Sequence, residues 1–222
     1  MSVLLEQAYQ KMLTHFGKQN WWPGDSALEI CVGAILTQNT NWGNVEKAIA
    51  NLKQNNSLSF EALLSIPEEI LSEHIRPSGY FRQKAKRLKG FVARVNEEFG
   101  DLSALRDLSS DRLREFLLSI TGIGPETADS MVLYAFDRPS FVIDAYTKRI
   151  LVRHQVMDED ADYYQLKDYF EAHLEEDVGL YNEYHALIVA VGKHYCKRSK
   201  PDCEHCPLND FNGGPIFQSL TP

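Results

Sequence analysis

The sequence predicts an all-α fold. Apolar residues recur at helical spacing through most segments, and glycine, proline and capping residues punctuate them. No long run alternates apolar and polar side chains as a half-buried strand would. Leu4 to Phe16 has the helical period, and Trp21-Trp22-Pro23-Gly24 breaks it. Ser26-x-x-Glu29 is a capping box before Ile30, Val32, Ile35 and Leu36. Asn39-Thr40-Asn41 interrupts, and a helix starts near Trp42. A short helix runs from Phe60 to Leu64. Pro67 opens another, to about His74, because proline suits the first helical turn. Pro77-Ser78-Gly79 sets off an amphipathic helix from Arg82 to Phe99. Asp111 is read as the cap of the next helix, to Ser119. A tight turn at 121–125 leads into a helix to about Phe136. Phe141-Val142-Ile143 is short and extended. Asp144 opens a helix to about His154, two more follow over 162–174 and 180–195, and the tail from Cys196 is a loop.

Composition narrows the class of function. The 222 residues suit one large domain or two modest ones, and the 44% apolar content suffices for a core. No run approaches a membrane span, and no basic, then apolar, leader is visible at Met1 to Gln10, so a cytosolic protein is expected. Net charge is −8, which argues at first sight against a nucleic-acid partner. Charge is segregated, however. Residues 81–95 hold Arg82, Lys84, Lys86, Arg87, Lys89 and Arg94 with no acid, while acids gather at 158–162 and 171–177. Two solvated helix faces would look the same, so the pattern leaves DNA binding open.

Thr121-Gly122-Ile123-Gly124-Pro125, followed by Thr127-Ala128, carries more. Two glycines two apart let the backbone turn tightly, Pro125 suits a first helical position, and Ile123 would anchor the turn. Exposed amides at such a turn, beside a helix start, favour phosphate. An ordinary αα turn would use the same residues. The wider context decides between them. This segment, with Val142-Ile143-Asp144, Leu36-Thr37-Gln38-Asn39-Thr40, the stretch from Gly79 to Leu88 and the cysteine tail, resembles the helix-hairpin-helix DNA glycosylases of the endonuclease III type over most of the chain.

The resemblance implies two helical domains with an interdomain cleft. The expected division is a six-helix domain over 25–137 with the hairpin, and a second domain from 1–24 and 138–222 with the cysteine loop. It implies that Gly122 and Gly124 grip a DNA phosphate through backbone amides, with a monovalent cation at the hairpin, and that Ile123 and Thr127 also belong to the DNA-binding set. Gln38 would fill the hole left in the duplex, and Lys84, Lys86 and Arg87 would contact DNA. Double-stranded DNA with damaged bases is the implied partner, a monomer the implied state, and the bacterial cytosol or nucleoid the implied place.

Asp144 is a natural helix cap, and by the resemblance it is also the catalytic carboxylate. Breaking an N-glycosidic bond builds positive charge on the sugar, which a carboxylate stabilises. Bifunctional relatives carry a lysine in the hairpin helix, and that amine forms a Schiff base leading to strand cleavage. Glu126 stands there in this sequence and cannot form an imine, so no efficient lyase activity is expected. Adenine-excising relatives carry a glutamate four residues before the wedge glutamine; here that residue is Ala34. An alkylated purine is already cationic and needs no such acid. Trp21, Trp22, Pro23 and Trp42, with Glu126, are the expected base pocket, because aromatic faces hold a flipped cationic ring. Trp21-Trp22-Pro23, Leu36-Thr37-Gln38-Asn39-Thr40, Arg76-Pro77-Ser78-Gly79 and Gln83-Lys84-Ala85-Lys86-Arg87-Leu88 together resemble the type III 3-methyladenine DNA glycosylases most. Other damaged or mismatched bases are the alternative substrates, and a non-catalytic damage-binding protein the alternative class.

The tail reads Cys196-x6-Cys203-x2-Cys206, then Asn212 where endonuclease III has a fourth cysteine. The resemblance implies a [4Fe–4S] cluster held by three cysteines, its fourth ligand absent or unusual. A zinc site completed by His194, His205 or Asp210, or a metal-free loop, are the alternatives. His15, His74, His154, His173 and His185 receive no role, and Cys31 is read as core.

Overall fold

The computed structural model describes residues 2–21 and 24–214, and these are helical, with no strand among them. Eleven α-helices follow in order: α1 Val3–Phe16, α2 Ala27–Leu36, α3 Trp42–Gln54, α4 Phe60–Ser65, α5 Glu68–His74, α6 Phe81–Phe99, α7 Ser110–Ser119, α8 Pro125–Ser130, α9 Ala145–Arg153, α10 Tyr163–His173 and α11 Val178–His194. None is long and apolar enough to cross a membrane. The chain divides into two compact units, one of Met1–Trp21 with Pro139–Pro222, the other Trp22–Arg138.

Local chemistry sets most helix starts. Ser2, Ser26, Asn41, Ser59, Ser109, Asp144, Asp162 and Asp177 are N-caps whose side chains accept a backbone N–H two or three residues into the helix. Two expectations need correction. The cap of α7 is Ser109; Asp111 lies inside its first turn. The box expected at Ser26 is half formed: Ser26 Oγ accepts from Glu29 N at 3.2 Å, but the Glu29 carboxylate accepts from Asp25 N and pairs with Lys53 at 2.8 Å. Lysine captures the acid that would otherwise reach back to the cap.

The 22–138 unit contains α2 to α8, the seven helices that the local sequence signals mark out, against the six that the resemblance implied. Its core gathers Val32, Ile35, Leu36, Leu52, Leu88, Phe91, Leu117 and Met131, each at most 1% exposed. Each such side chain contributes about 1.5–3 kcal/mol of transfer free energy. The helix after the hairpin ends as a π-helical turn at Met131–Ala135. Asp129, with no exposure, is held by Arg114 through a two-pronged pair, Nε to Oδ1 at 2.7 Å and Nη2 to Oδ2 at 3.1 Å.

The other unit packs α1 and α9 on α11. Phe141 stacks on Phe170 with centroids 4.0 Å apart, and Tyr184 Oη donates to Leu5 O at 2.9 Å. At Gly192 the two helices approach so closely that a Cβ would lie 2.2 Å from the Tyr146 ring. Glycine is required there for space.

Candidate functional site

In the 22–138 unit the hairpin, Gln38 and α6 are tied together. Gly122 has φ of +90°, a region that favours glycine, and a Cβ there would lie 2.7 Å from Arg87 Cγ. Gly122 and Gly124 are exposed, while Ile123 is buried and anchors the turn, its N–H donating to Ile120 O at 3.0 Å. Gln38 Nε2 donates to Gly122 O and to Thr127 Oγ1, both at 3.0 Å, and Arg87 donates to Gln38 Oε1. Sequence reading had put these four residues on DNA without relating them to one another. The structure makes them one hydrogen-bonded group in which Arg87 and Thr127 hold Gln38.

Lys84 does not belong with the exposed cations. It is 1% exposed, and its Nζ donates to Leu36 O at 2.8 Å and Ser78 O at 2.7 Å. Its place on α6 points inward, toward the end of α2 and the 76–78 turn, so it cannot meet a phosphate. Burial, with the Arg87 charge beside it, pushes its amine down to about 8. Lys86 is exposed, as a DNA contact requires. Glu126 is exposed in the first turn of α8.

Trp22 and Pro23 lie outside the described residues. Trp21 is half-buried, with Lys193 Nζ 5.0 Å from its ring centroid. Trp42 lines a groove of about 380 Å³ between α2 and α3, with Glu29, Gly33, Glu46 and Lys53. Its Nε1 donates to Glu46 at 3.0 Å. Ala34 is buried and apolar.

In the other unit, Asp144 caps α9. Its Oδ1 accepts from Thr147 N at 2.7 Å and from Thr147 Oγ1 at 2.9 Å. Its Oδ2 faces His185 Nε2 at 3.7 Å, and both side chains are nearly buried, 13% and 6% exposed. Burial alone would push the carboxyl up; His185 and then the Thr147 bonds outweigh it, so Asp144 lies below the usual carboxylate range and is ionised at neutral pH. His185 received no role from the sequence. The available signal was an ionisable residue on the apolar stretch of α11, where a partner is obligatory.

The cysteine tail forms a third group. Cys196 and Cys206 are buried, Cys203 is half-buried, and all three line one small cavity with Ile150, Arg153 and His154. Arg153 Nη1 donates to Cys196 Sγ at 3.2 Å. Burial, with the neighbouring thiols, raises Cys206 to about 11. Three sulfurs around one cavity, with a guanidinium N–H on one of them, fit the donor chemistry of an iron–sulfur cluster. The position of the fourth does not: Asn212, at φ of +48°, donates its amide to His154 O at 2.8 Å. Asp210 pairs with Lys11 and His205 with Asp202, and no three Cys, His, Asp or Glu among the described residues are gathered to hold a single metal ion.

A two-glycine hairpin in one unit, and a capped buried aspartate and a three-cysteine tail in the other, can be set beside known proteins. Residues 32–194 match the HhH-GPD superfamily of base excision DNA repair proteins, and residues 196–211 match the iron–sulfur binding domain of endonuclease III. A Methanocaldococcus jannaschii protein named as a DNA repair glycosylase is 47% identical over 94% of this chain and 95% of its own. The 3-methyladenine DNA glycosylase of H. pylori, solved with 1,N6-ethenoadenine, is 28% identical, with a TM-score of 0.72 over 86% of this chain and 95% of that one. Endonuclease III, solved with DNA, is 20% identical and shares the fold, with a TM-score of 0.80 over 95% of each chain. The chain belongs to the HhH-GPD superfamily; it is a DNA glycosylase of base excision repair.

Proposed function

We propose that this enzyme is a monofunctional glycosylase that hydrolyses the N-glycosidic bond of cationic, alkylated purines such as 3-methyladenine in duplex DNA. Asp144 stabilises the developing sugar cation and orients water. The observation that carries the reading is the pairing of an ionised, buried Asp144 with the absence of helpers. Position 34 offers an alanine where a leaving neutral purine would need an acid, and position 126 offers a carboxylate where a lyase needs an amine. The likeness to the H. pylori enzyme supports the same substrate class. DNA would be met by the Gly122–Gly124 turn, which would also take a monovalent cation, with Lys86 and Arg87 alongside and Gln38 entering the vacated stack. The three cysteines of the tail would hold a [4Fe–4S] cluster of structural role.

A second reading, excision of a neutral damaged or mismatched base, is favoured by one observation. Lys193 already lies 5.0 Å from the Trp21 ring, so that ring has a cation partner before any cationic base arrives.

The test is a panel of duplexes: dimethyl-sulfate-methylated DNA, uracil and thymine opposite guanine, and oxidised pyrimidines. Wild type and Asp144→Asn are compared, with alkali withheld until the end. Release of 3-methyladenine by wild type alone, with strand breaks only after alkali, upholds the first reading. Release from another duplex only moves the assignment to the second. Breaks without alkali refute the monofunctional reading.

A further inference from the structure

We infer that His185 is a positioning residue for Asp144, holding the carboxylate oxygen Oδ2 in place and compensating its charge from beneath while Thr147 occupies Oδ1. The inference rests on Asp144 being the catalytic carboxylate.

The geometry assigns the two oxygens different duties. Oδ1 is consumed by the cap, with two bonds from one residue that has no solvent exposure. Oδ2 is the oxygen left for chemistry, and His185 Nε2 lies 3.7 Å from it. That separation is within ion-pair reach but longer than a hydrogen bond, so the imidazole steers Oδ2 without tying it up. A carboxylate this buried pays a desolvation cost unless charge or N–H groups compensate it. Thr147 compensates one oxygen; His185 compensates the other.

The backbone fixes the relation between them. Asp144 begins α9 and His185 lies on α11, and the close approach at Gly192 under Tyr146 keeps these two helices in register. A histidine required only as core filling would have no reason to direct a nitrogen at a capping carboxylate.

The test uses the full-length enzyme and the duplex from which wild type releases base in the panel above. Single-turnover rates at saturating enzyme, the Kd for a duplex with a tetrahydrofuran abasic analogue, and thermal melting are measured for His185→Phe, His185→Gln, Asp144→Asn and the double variant Asp144→Asn/His185→Phe. The expected result is at least a tenfold slower single-turnover rate for His185→Phe, an unchanged Kd, and a rate for His185→Gln within a few-fold of wild type, because the amide restores an N–H. The double variant is then no slower than Asp144→Asn alone. If His185→Phe excises as fast as wild type while Asp144→Asn is inactive, the inference falls and Asp144 keeps its role. If Asp144→Asn remains active, the reading of Asp144 falls and takes the inference with it. If both histidine variants lose activity only in step with lost melting temperature, His185 is core and the inference is overturned.

Discussion

Lys84 separates two accounts of the basic stripe on α6, and Lys84→Met tests them. Methionine keeps the unbranched stem in its apolar bed and removes only the ammonium. Two carbonyls then lose their donor, Leu36 O at the end of α2 and Ser78 O in the turn that follows α5. Hydrogen bonds from a charged donor contribute about 1.5–3 kcal/mol each, together about 3–6 kcal/mol. Against this stands relief of the buried charge. The fall from lysine's ordinary 10.5 to about 8 corresponds to about 3 kcal/mol. The net expectation at pH 7 is a destabilisation of about 0–3 kcal/mol, which at its midpoint of about 1.5 kcal/mol is a fall in Tm of roughly 5 °C. The pH dependence has a fixed sign. Between pH 8 and 10.5 the unfolded lysine keeps a proton that the folded one has lost, so wild-type stability gains on the variant as pH rises, by up to about 3 kcal/mol. Thermal melts of both proteins from pH 7 to 10 measure this, and titrations of undamaged duplex at several salt concentrations measure the alternative. An unchanged Tm, with weaker DNA binding and a salt slope shallower by about one phosphate, would refute the structural account and return Lys84 to the DNA-facing set.

Three further outcomes are expected. Asp129→Ala removes the fully buried carboxylate of the two-pronged pair with Arg114 and costs about 3–5 kcal/mol in urea unfolding; a loss below 1 kcal/mol would mean the pair contributes little. Borohydride added during turnover traps no enzyme–DNA adduct, since Glu126 offers no amine; a trapped band on a denaturing gel would point to another nucleophile. Protein isolated without oxygen carries iron and sulfide with broad visible absorption, and Cys203→Ser loses it; iron-free wild type would rule out the cluster.

Much of the scaffold was legible because its signals are local. Serine, asparagine and aspartate caps, Pro67 and the two hairpin glycines act within one turn of themselves, and the structure puts helices where those signals lie. Errors came where two local signals competed. Ser109 and Asp111 are both good caps, and only the chain's approach to α7 selects the first. Glu29 suits a capping box until Lys53, 24 positions along in sequence but adjacent in the fold, takes its carboxylate. The same limit governs the site. Asp144 announced itself as a cap after an apolar run, but its partner His185 is 41 residues away, and nothing in the intervening sequence marks them as neighbours. Lys84 looked like its exposed neighbour Lys86, because helical periodicity assigns a face only when the partner of that face is known.

The basic stripe, resolved residue by residue, changes what kind of DNA binder this enzyme would be. Lys84 faces the core. Lys89 Nζ donates to the carbonyls of Leu63, Leu64 and Ile66 at 2.6–2.9 Å, closing the end of α4. Arg94 pairs with Glu98, and Arg87 serves Gln38. Of the six cations between 81 and 95, Arg82, over the Phe81 ring, and Lys86 remain exposed. Arg82 and Lys86 give a salt slope near −2, and near −3 once Arg87 turns to a phosphate, against about −5 for all six, and the chain's net charge of −8 opposes even that. Under the proposed function, affinity for undamaged duplex is then weak, and discrimination falls on the uncharged parts: the backbone of the Gly122–Gly124 turn and the insertion of Gln38. Insertion has its own threshold, because Gln38 must first leave Gly122 O, Thr127 and Arg87. A phosphate that draws Arg87 away would release the glutamine at the same moment, so backbone contact and probing of the stack are coupled through one guanidinium.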